Sequence, residues 1–568
     1  MIQKIKNKIM ARLFDNHTQN IASAAMILGA ATLASSLLGV VRQRLLIGQF
    51  GVGNSLDAYF AAFQIPNFAY NLLISATLSV AFIPVFCEYL NKDKDEAWRI
   101  ANSVLNLTAI VMGALAFVFF LGAPYFIKLI SPGFIGDKYT LTVNLTRILM
   151  LSPLLFSVSS IFSSVLNSFR SFLLVAIAPL LYNLAIILGI IFLAPTFGIY
   201  GVVVAVIIGA LAHIAIQVPG AMKFGFKWQR IIDLKNAGVR EIIKLVLPRI
   251  LAIDTSPISQ MVGTFIGSTL TVGSVAIFNL VYNIESLPVS IFAVSFVVSV
   301  FPSLSSALAK QDYDDFKKDF SYTARQIIFF LIPLTILTIV FRAQAIRLIM
   351  GTKNLNWEET RLAAGALAIF AVSFIFQGLT PLFSRAFFAL KNTTTPLIIS
   401  LTSILVNVSG TYFFLTLLSG NTLFAEMIRS WLKLSDVADL KVLALPLGFS
   451  LSSLFNAGAL FAILRSKFNY LDIDTPKIGV AFLKYLGAGL ISGVIGYTGL
   501  YFIEPHLNER TFLGIFAQLT FATTLALATF TTLALLLKSE EMVSLIGAVK
   551  RKLNKSVVVT GTSENTQI

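Results

Sequence analysis

Apolar runs interrupted at intervals by short clusters of charge, glycine and proline organise this chain from end to end. Each run is about 20 residues or longer, enough for a helix rising about 1.5 Å per residue to cross a hydrocarbon layer about 30 Å thick. The pattern predicts fourteen spans, at 21–47, 57–89, 102–129, 140–167, 172–194, 199–219, 241–267, 271–305, 322–346, 361–385, 395–418, 443–464, 480–503 and 511–537. The fold class is therefore an all-α polytopic membrane protein. Outside the spans, residues 1–20 alternate Lys4, Lys6, Lys8 and Arg12 with Ile2, Ile5, Ile9, Leu13 and Phe14, the pattern of a basic amphipathic helix on a membrane surface. A cleavable signal peptide is the rival reading. Against it, the apolar run from Ile21 is long and leads straight into Arg42. Residues 421–441, with Trp431 among charges, read as an interfacial helix, and 556–568 as a disordered polar tail.

Composition agrees with the pattern and narrows the chemistry. Hydrophobic residues make up 57% of the chain, and only 12% is charged, against about a quarter in soluble proteins. One Cys and three His exclude a disulfide framework and argue against a metal cluster, so no cofactor is expected apart from a coupling cation. The net charge of +16 raises the question of nucleic acid, but its distribution answers it. With the N-terminus in the cytoplasm, both termini and the even-to-odd connections with their flanks collect 29 of the 43 Lys and Arg, whereas the opposite loops hold 10. This asymmetry follows the positive-inside rule and places both termini in the cytoplasm. The basic excess is topological, with anionic membrane lipids as secondary partners and no nucleic acid.

A weak internal repeat is visible. Ser79–Pro84 ends a span and precedes Lys92, an acidic loop and Trp98; Val297–Pro302 ends another and precedes Lys310, Asp312, Asp314 and Phe316. A basic turn at Arg170 before Pro179 resembles one at Lys391 before Pro396. Two parallel six-helix bundles follow, a first lobe at 21–235 and a second at 236–470, pseudo-symmetric about an axis along the membrane normal. A helix pair at 471–540 and a cytoplasmic tail at 541–568 lie outside the repeat.

Ionisable residues inside such spans cost about 2.5–3.5 kcal/mol each at mid-bilayer and point to a polar path. Arg42 in span 1 and Arg147 in span 4 are such residues, and Arg249 in span 7 is a candidate ligand for phosphate, whose oxygens suit a guanidinium fork. Arg249 lies about 10–12 Å from the end of its helix if that begins near Glu241, and snorkelling to headgroups is its alternative role. Asp254, with Asn407 of span 11, is a candidate for binding a coupling cation. Pro66–Asn67 in span 2, and Pro288 after Asn283 and Glu285 in span 8, occupy similar positions in the two halves. Each proline removes a backbone donor, which predicts a kink or a gating hinge. Asp57, near the end of span 2, is expected to cap or to steady that hinge, and His213 to be a hydrogen-bonded structural residue. Enzymatic activity is not expected: no HExxH, nucleophile elbow, glycine-rich phosphate loop or paired-cysteine motif is present.

Leu37-Leu38-Gly39 through Arg42, Phe50-Gly51, Asp57-Ala58-Tyr59, Ala62-Phe63, Ile65-Pro66-Asn67 and Ala81-Phe82-Ile83-Pro84 together closely resemble the MurJ/MviN family of the MOP exporter superfamily. The likeness continues through Pro132-Gly133-Phe134, Ala178–Asn183 and Phe301–Ser305, so that it covers essentially the whole chain. The resemblance implies two six-helix lobes around a cationic cavity and a C-terminal helix pair forming a groove for a lipid tail. The implied substrate is the undecaprenyl-pyrophosphate-linked peptidoglycan precursor, lipid II, moved from the inner to the outer leaflet of the bacterial cytoplasmic membrane. Arg42 matches a family arginine, but Ser36, Tyr70 and Asn283 stand where others are expected, so the resemblance leaves Arg42, Arg249 and Arg147 as the cations to meet a pyrophosphate. Asn283 is kept as a substrate-binding candidate on that alignment, and the three departures leave the identity of the lipid-linked substrate open. The reading is a monomeric lipid II flippase working by alternating access. A multidrug or cation antiporter, with Asp254 or Glu285 as its acid, or a flippase for another polyprenyl-linked oligosaccharide, are the alternatives.

Overall fold

The structure is a computed structural model and describes residues 21–72, 78–251, 256–420, 422–471, 473–508 and 511–547. Within these residues every regular element is helical. In chain order the principal helices are α1 (Ile21–Phe50), α2 (Asn54–Tyr70), α3 (Leu78–Lys92), α4 (Lys94–Ile130), α5 (Gly136–Leu149), α6 (Leu151–Ser168), α7 (Phe172–Phe192), α8 (Ile199–Ala215), α9 (Ala237–Leu251) and α10 (Ser256–Ser268). There follow α11 (Ser274–Pro288), α12 (Val294–Ala309), α13 (Tyr313–Val340), α14 (Trp357–Ala389), α15 (Thr394–Leu418), α16 (Leu423–Leu432), α17 (Ala444–Lys467), α18 (Thr475–Ile503) and α19 (Phe512–Leu536).

Twelve helical segments among the described residues are long and apolar enough to cross a membrane. The other two predicted spans fall on 54–92 and 237–268, where the described residues form α2 with α3 and α9 with α10. The protein is thus a polytopic α-helical membrane protein. Large apolar side chains such as Phe117, Leu121 and Leu405 stand more than half exposed on these helices, as a hydrocarbon surround permits. The expected amphipathic segment 1–20 and the polar tail 556–568 lie outside the described residues.

Two predicted elements differ in detail. The span at 140–167 breaks at Met150 because Pro153 has no N–H to offer the Leu149 carbonyl; the Ser152 hydroxyl donates to it instead, at 2.8 Å. In the expected interfacial segment 421–441 the α-helical part is α16, which Thr422 caps and Lys433 ends in a left-handed conformation, φ +56°. Trp431 on α16 is exposed.

The internal repeat has local structural counterparts. Asp93 caps α4 through the amides of Asp95 and Glu96, and Asp312 caps α13 through that of Asp315, so the two acidic loops are helix starts. Arg170 and Lys391 both stop a helix at φ near +57°, and in each turn the next residue's amide returns to a carbonyl five residues back, at 2.8 and 2.9 Å.

The chain falls into two compact units, one of residues up to 280 with 349–359, the other of residues 281–348 with 360 onward. In the first, Phe82, Phe86, Trp98, Phe162 and Phe226 form a core that also takes in Val239 and Ile242 of α9. That packing places α9 with the first unit, so the division by packing is not the repeat boundary read at 235/236. In the second unit Leu304, Phe316, Phe320, Phe383 and Phe387 form the corresponding core, and α18 carries Gly489 and Gly493 against Ile336 of α13. A Cβ at Gly489 would lie 2.6 Å from Ile336, so small residues set how closely these two helices approach.

Candidate functional site

In the first unit the residues of the Leu38–Pro66 motif assemble around two polar centres. The first is Arg42 on α1. Its Nη1 donates to Asn183 Oδ1 on α7 at 3.0 Å, and Asn183 Nδ2 in turn donates to Ser35 Oγ of α1 at 3.0 Å and to the Pro179 carbonyl at 3.2 Å. Pro179 is followed by Asn183 one turn later, so the amide is held by its own helix before it meets the guanidinium. Arg42 is half-buried, and its Nε is enclosed without a hydrogen-bond partner, leaving donor capacity unused. The Arg42 charge acts on the Tyr59 and Tyr182 hydroxyls, a polar lining that no counter-carboxylate neutralises among the described ion pairs.

The second centre is Asp57, 1% exposed. It lies in the first turn of α2, but the amides it accepts belong to a different helix: Gly273 N–H donates to Oδ2 at 2.8 Å and Ala276 N–H to Oδ1 at 2.7 Å, at the start of α11. Lys138 of α5 completes the set with Nζ 2.7 Å from Oδ2 and 4.1 Å above the Phe134 ring. A carboxylate, an ammonium and a helix N-terminus thus neutralise one another within the first unit. Gly273 adopts φ +91°, which L side chains rarely adopt, and thereby turns its N–H into this clasp. Gly133 of the Pro132-Gly133-Phe134 turn lies so close to the Ser268 carbonyl that a Cβ would sit 2.1 Å from its oxygen. The Gly133 N–H donates to Ser268 Oγ at 3.2 Å.

Beyond these centres lies a cavity of about 260 Å³, bounded by Phe63, Pro66, Asn67 and Tyr70 of α2, Ser152, Pro153 and Phe156 of α6, Pro179 and Tyr182 of α7, and His213 of α8. Tyr70, at a position where a cation was expected, lines it and meets the Phe156 ring edge-on at 5.8 Å. His213 shares its Nδ1 with Ser159 Oγ at 2.6 Å, and Ser159 also donates to Gln217 Oε1 at 3.1 Å, so His213 belongs to a buried hydrogen-bonded cluster.

Other candidates lie apart. The Arg147 Nε donates to the Phe120 carbonyl at 3.4 Å, and its guanidinium stands 5.5 Å from the ring of the exposed Phe120, so both contacts are with α4. Arg249 lies in α9, but its side chain is outside the described residues, as is the whole of Asp254. In the second unit Asn407 is buried on α15 and accepts from Thr411 Oγ1 at 3.4 Å. Asn283 is half-buried on α11. Glu285, two residues on, is 1% exposed and accepts from Gln377 Nε2 of α14 at 3.0 Å. Pro288 ends α11 and is followed by a π-helical turn, Val289–Ala293; likewise, Pro66 is followed by π-helical residues at Asn71–Leu72. Helix irregularity after a proline therefore recurs in both halves, as expected where backbone donors are removed.

Several partners were not anticipated from the sequence: Asn183 for Arg42, Lys138 for Asp57, Gln377 for Glu285, and the buried amides of Gln64 and Asn279, joined at 3.2 Å. One signal was available: Ser373 and Gln377 stand four residues apart in an otherwise apolar span, hence on one helix face.

The family model described as lipid II flippase MurJ matches residues 48–518. A lipid II flippase MurJ from Burkholderia cenocepacia is 25% identical over 410 residues, covering 70% of this chain and 79% of the relative. A probable lipid II flippase MurJ from Buchnera aphidicola is 28% identical over 402 residues, covering 68% and 77%. Among solved structures, a lipid II flippase MurJ in an inward closed conformation has a TM-score of 0.70 at 21% identity, over 90% of this chain and 99% of that one. A multidrug resistance MATE family transporter of the MOP superfamily, inward-facing, has a TM-score of 0.58 at 14% identity, over 77% and 95%. At such identities the structures speak to the fold alone, whereas the family model spans most of the sequence. With its Asp57 centre inside the matched segment and Arg42 six residues ahead of it, the chain belongs to the MurJ family of lipid II flippases.

Proposed function

We propose that this protein moves lipid II, an undecaprenyl-pyrophosphate-linked sugar-peptide, from the inner to the outer leaflet of the bacterial cytoplasmic membrane. The family match over residues 48–518 carries this reading. Arg42 supplies its chemistry: a guanidinium held by Asn183 with one enclosed donor still unfilled is poised to meet a phosphate oxygen. Arg249 is its proposed companion. Arg147, engaged with Phe120, is assigned a lesser part. The absence of arginine at Ser36, Tyr70 and Asn283 is read as a sparser cationic lining, in which neutral donors such as Asn283 assist.

Movement is assigned to alternating access, with the irregular turns after Pro66 and Pro288 as hinges and Asp57 as the clasp beside the first. Asp254 and Asn407 are retained as an ion-coupling pair. Both termini are placed in the cytoplasm by the charge asymmetry of the loops, the protein acts as a monomer, and anionic lipids line the cytoplasmic face. A multidrug antiporter shares the scaffold, but its likeness is one of fold alone.

The test is complementation of a bacterium depleted of its own flippase, comparing the intact chain with Arg42→Ala and Arg249→Ala at matched membrane levels. Rescue by the intact chain and by neither variant is expected. Rescue by all three would remove these arginines from the mechanism, and failure of a well-inserted intact chain would argue for another lipid-linked substrate.

A further inference from the structure

Glu285 is a lone acid in an apolar interior. One carboxylate oxygen accepts from Gln377 Nε2; the other, Oε1, is enclosed and has no partner. The residue is 1% exposed, and among the described residues no Lys, Arg or His pairs with it. What faces it among the described residues is neutral. From α14 come Gln377 and Ser373, the latter accepting from Gln377 Nε2 at 2.7 Å and donating to the Phe370 carbonyl at 2.6 Å. On its own helix, Tyr282 turns to the rings of Phe370 and of Phe449 from α17. An ionised carboxylate so placed would face a desolvation penalty of several kcal/mol with no counter-charge. Burial of this kind resolves by neutralisation, through a proton or a cation. A monovalent or divalent metal needs several oxygen ligands; here one carboxylate meets an amide N–H, and no group of three metal-binding side chains occurs among the described residues.

We propose that Glu285 is a proton-binding site of the transport cycle, a role that rests on the flippase reading above and names the ion that site takes. The proton resides on Oε1, the oxygen that lacks a partner, and the acid is then neutral in its closed surroundings. Pro288, three residues on, leaves the Ile284 carbonyl without its helical donor, and the π-helical turn Val289–Ala293 follows at once. Opening at this irregular segment admits water to Glu285, and the proton leaves Oε1 for that water. Re-closure around the bare carboxylate is disfavoured until a proton from the other side of the membrane replaces it. The two states of the hinge thus differ in proton affinity, which is the condition for coupling. The site uses residues other than Asp254 and Asn407.

The full chain is reconstituted in vesicles of phosphatidylethanolamine and phosphatidylglycerol containing fluorescent lipid II, with the membrane potential clamped at zero and a pH difference of one unit imposed. For one proton per lipid, the steady-state ratio of lipid II between leaflets is expected to shift by about tenfold, with a polarity that tells whether proton and lipid cross in the same or opposite sense. Glu285→Asp is expected to keep the shift and Glu285→Gln, which retains the Gln377 contact, to abolish it. An equal shift in Glu285→Gln, or none in the intact chain while lipid II still crosses, would overturn the proposal. If the intact chain moves no lipid II, the substrate reading fails, and infrared spectra of the same protein at neutral pH decide the remaining question. A protonated-carboxyl band present in the intact chain and missing from Glu285→Gln sustains the site; no difference between them refutes it.

Discussion

Asp57 and Glu285 are both buried carboxyl groups, each one turn to a few turns ahead of a proline in corresponding helices of the two halves, yet they meet opposite surroundings. Asp57 has an ammonium and two backbone N–H donors. Glu285 has a single side-chain amide and an empty oxygen. The first arrangement is closed chemistry: every acceptor is used, and the charge is neutralised by fixed groups. The second is unfinished and accepts a mobile charge. Burial alone therefore does not tell a structural acid from a working one; the tally of partners does.

The same conservative change should separate them. Asp57→Asn turns an amide group toward Lys138 or one of the two N–H donors and leaves the ammonium without its partner, which should cost about 3–5 kcal/mol. Glu285→Gln removes no charge partner and should leave stability within about 1 kcal/mol. Unfolding of the two variants in mixed micelles checks the contrast, and equal losses would dissolve it. A second measurement sharpens the Asp57 side. Asp57→Asn combined with Lys138→Met should lose less than the sum of the single changes, with a coupling of about 1–3 kcal/mol; strict additivity would mean that the clasp is held by the helix N-terminus alone.

The smallest effect is expected at the surface. Arg325 lies 2.8 Å from Glu540 and 3.0 Å from the buried Glu541, which also hydrogen-bonds Tyr485, so the segment after α19 is tied to α13. The hydrogen bond from Arg325 holds the Glu540 carboxyl below its usual range. A depressed carboxylate stabilises the fold above its unfolded value and loses that contribution as pH falls through the folded one. Glu540 is largely exposed, so solvent screening limits Glu540→Gln to well under about 1 kcal/mol. The difference between variant and intact chain should vanish as pH drops below about 4. A larger loss that persists in acid would give this contact a structural weight comparable with that of the Asp57 clasp.

The two cores extend the comparison. Phe86 with Trp98 in one unit, and Leu304 with Phe316 in the other, stand at the same offset along the chain and are buried in each. Their repetition was readable because lipid-spanning helices need long apolar runs, and because the turns between them use capping acids and helix-stopping basic residues at fixed places. The partners of Arg42, Asp57 and Glu285 were not readable in this way. Asn183, Lys138 and Gln377 lie 141, 81 and 92 residues from the groups they serve. No periodicity links residues so far apart. Arg147 is a similar case: its charge inside a predicted span was readable, but not the ring of Phe120 that its guanidinium stands against.

The sequence by itself determined that this is a polytopic helical membrane protein, where its spans run, and which family its motifs resemble. These are properties of local hydropathy, charge and turn chemistry, which act over one or two helical turns. Tertiary structure alone decided which ionisable groups are neutralised and which are left wanting. That depends on what other helices bring within about 3 Å, and at low dielectric such contacts set the energy of a charge.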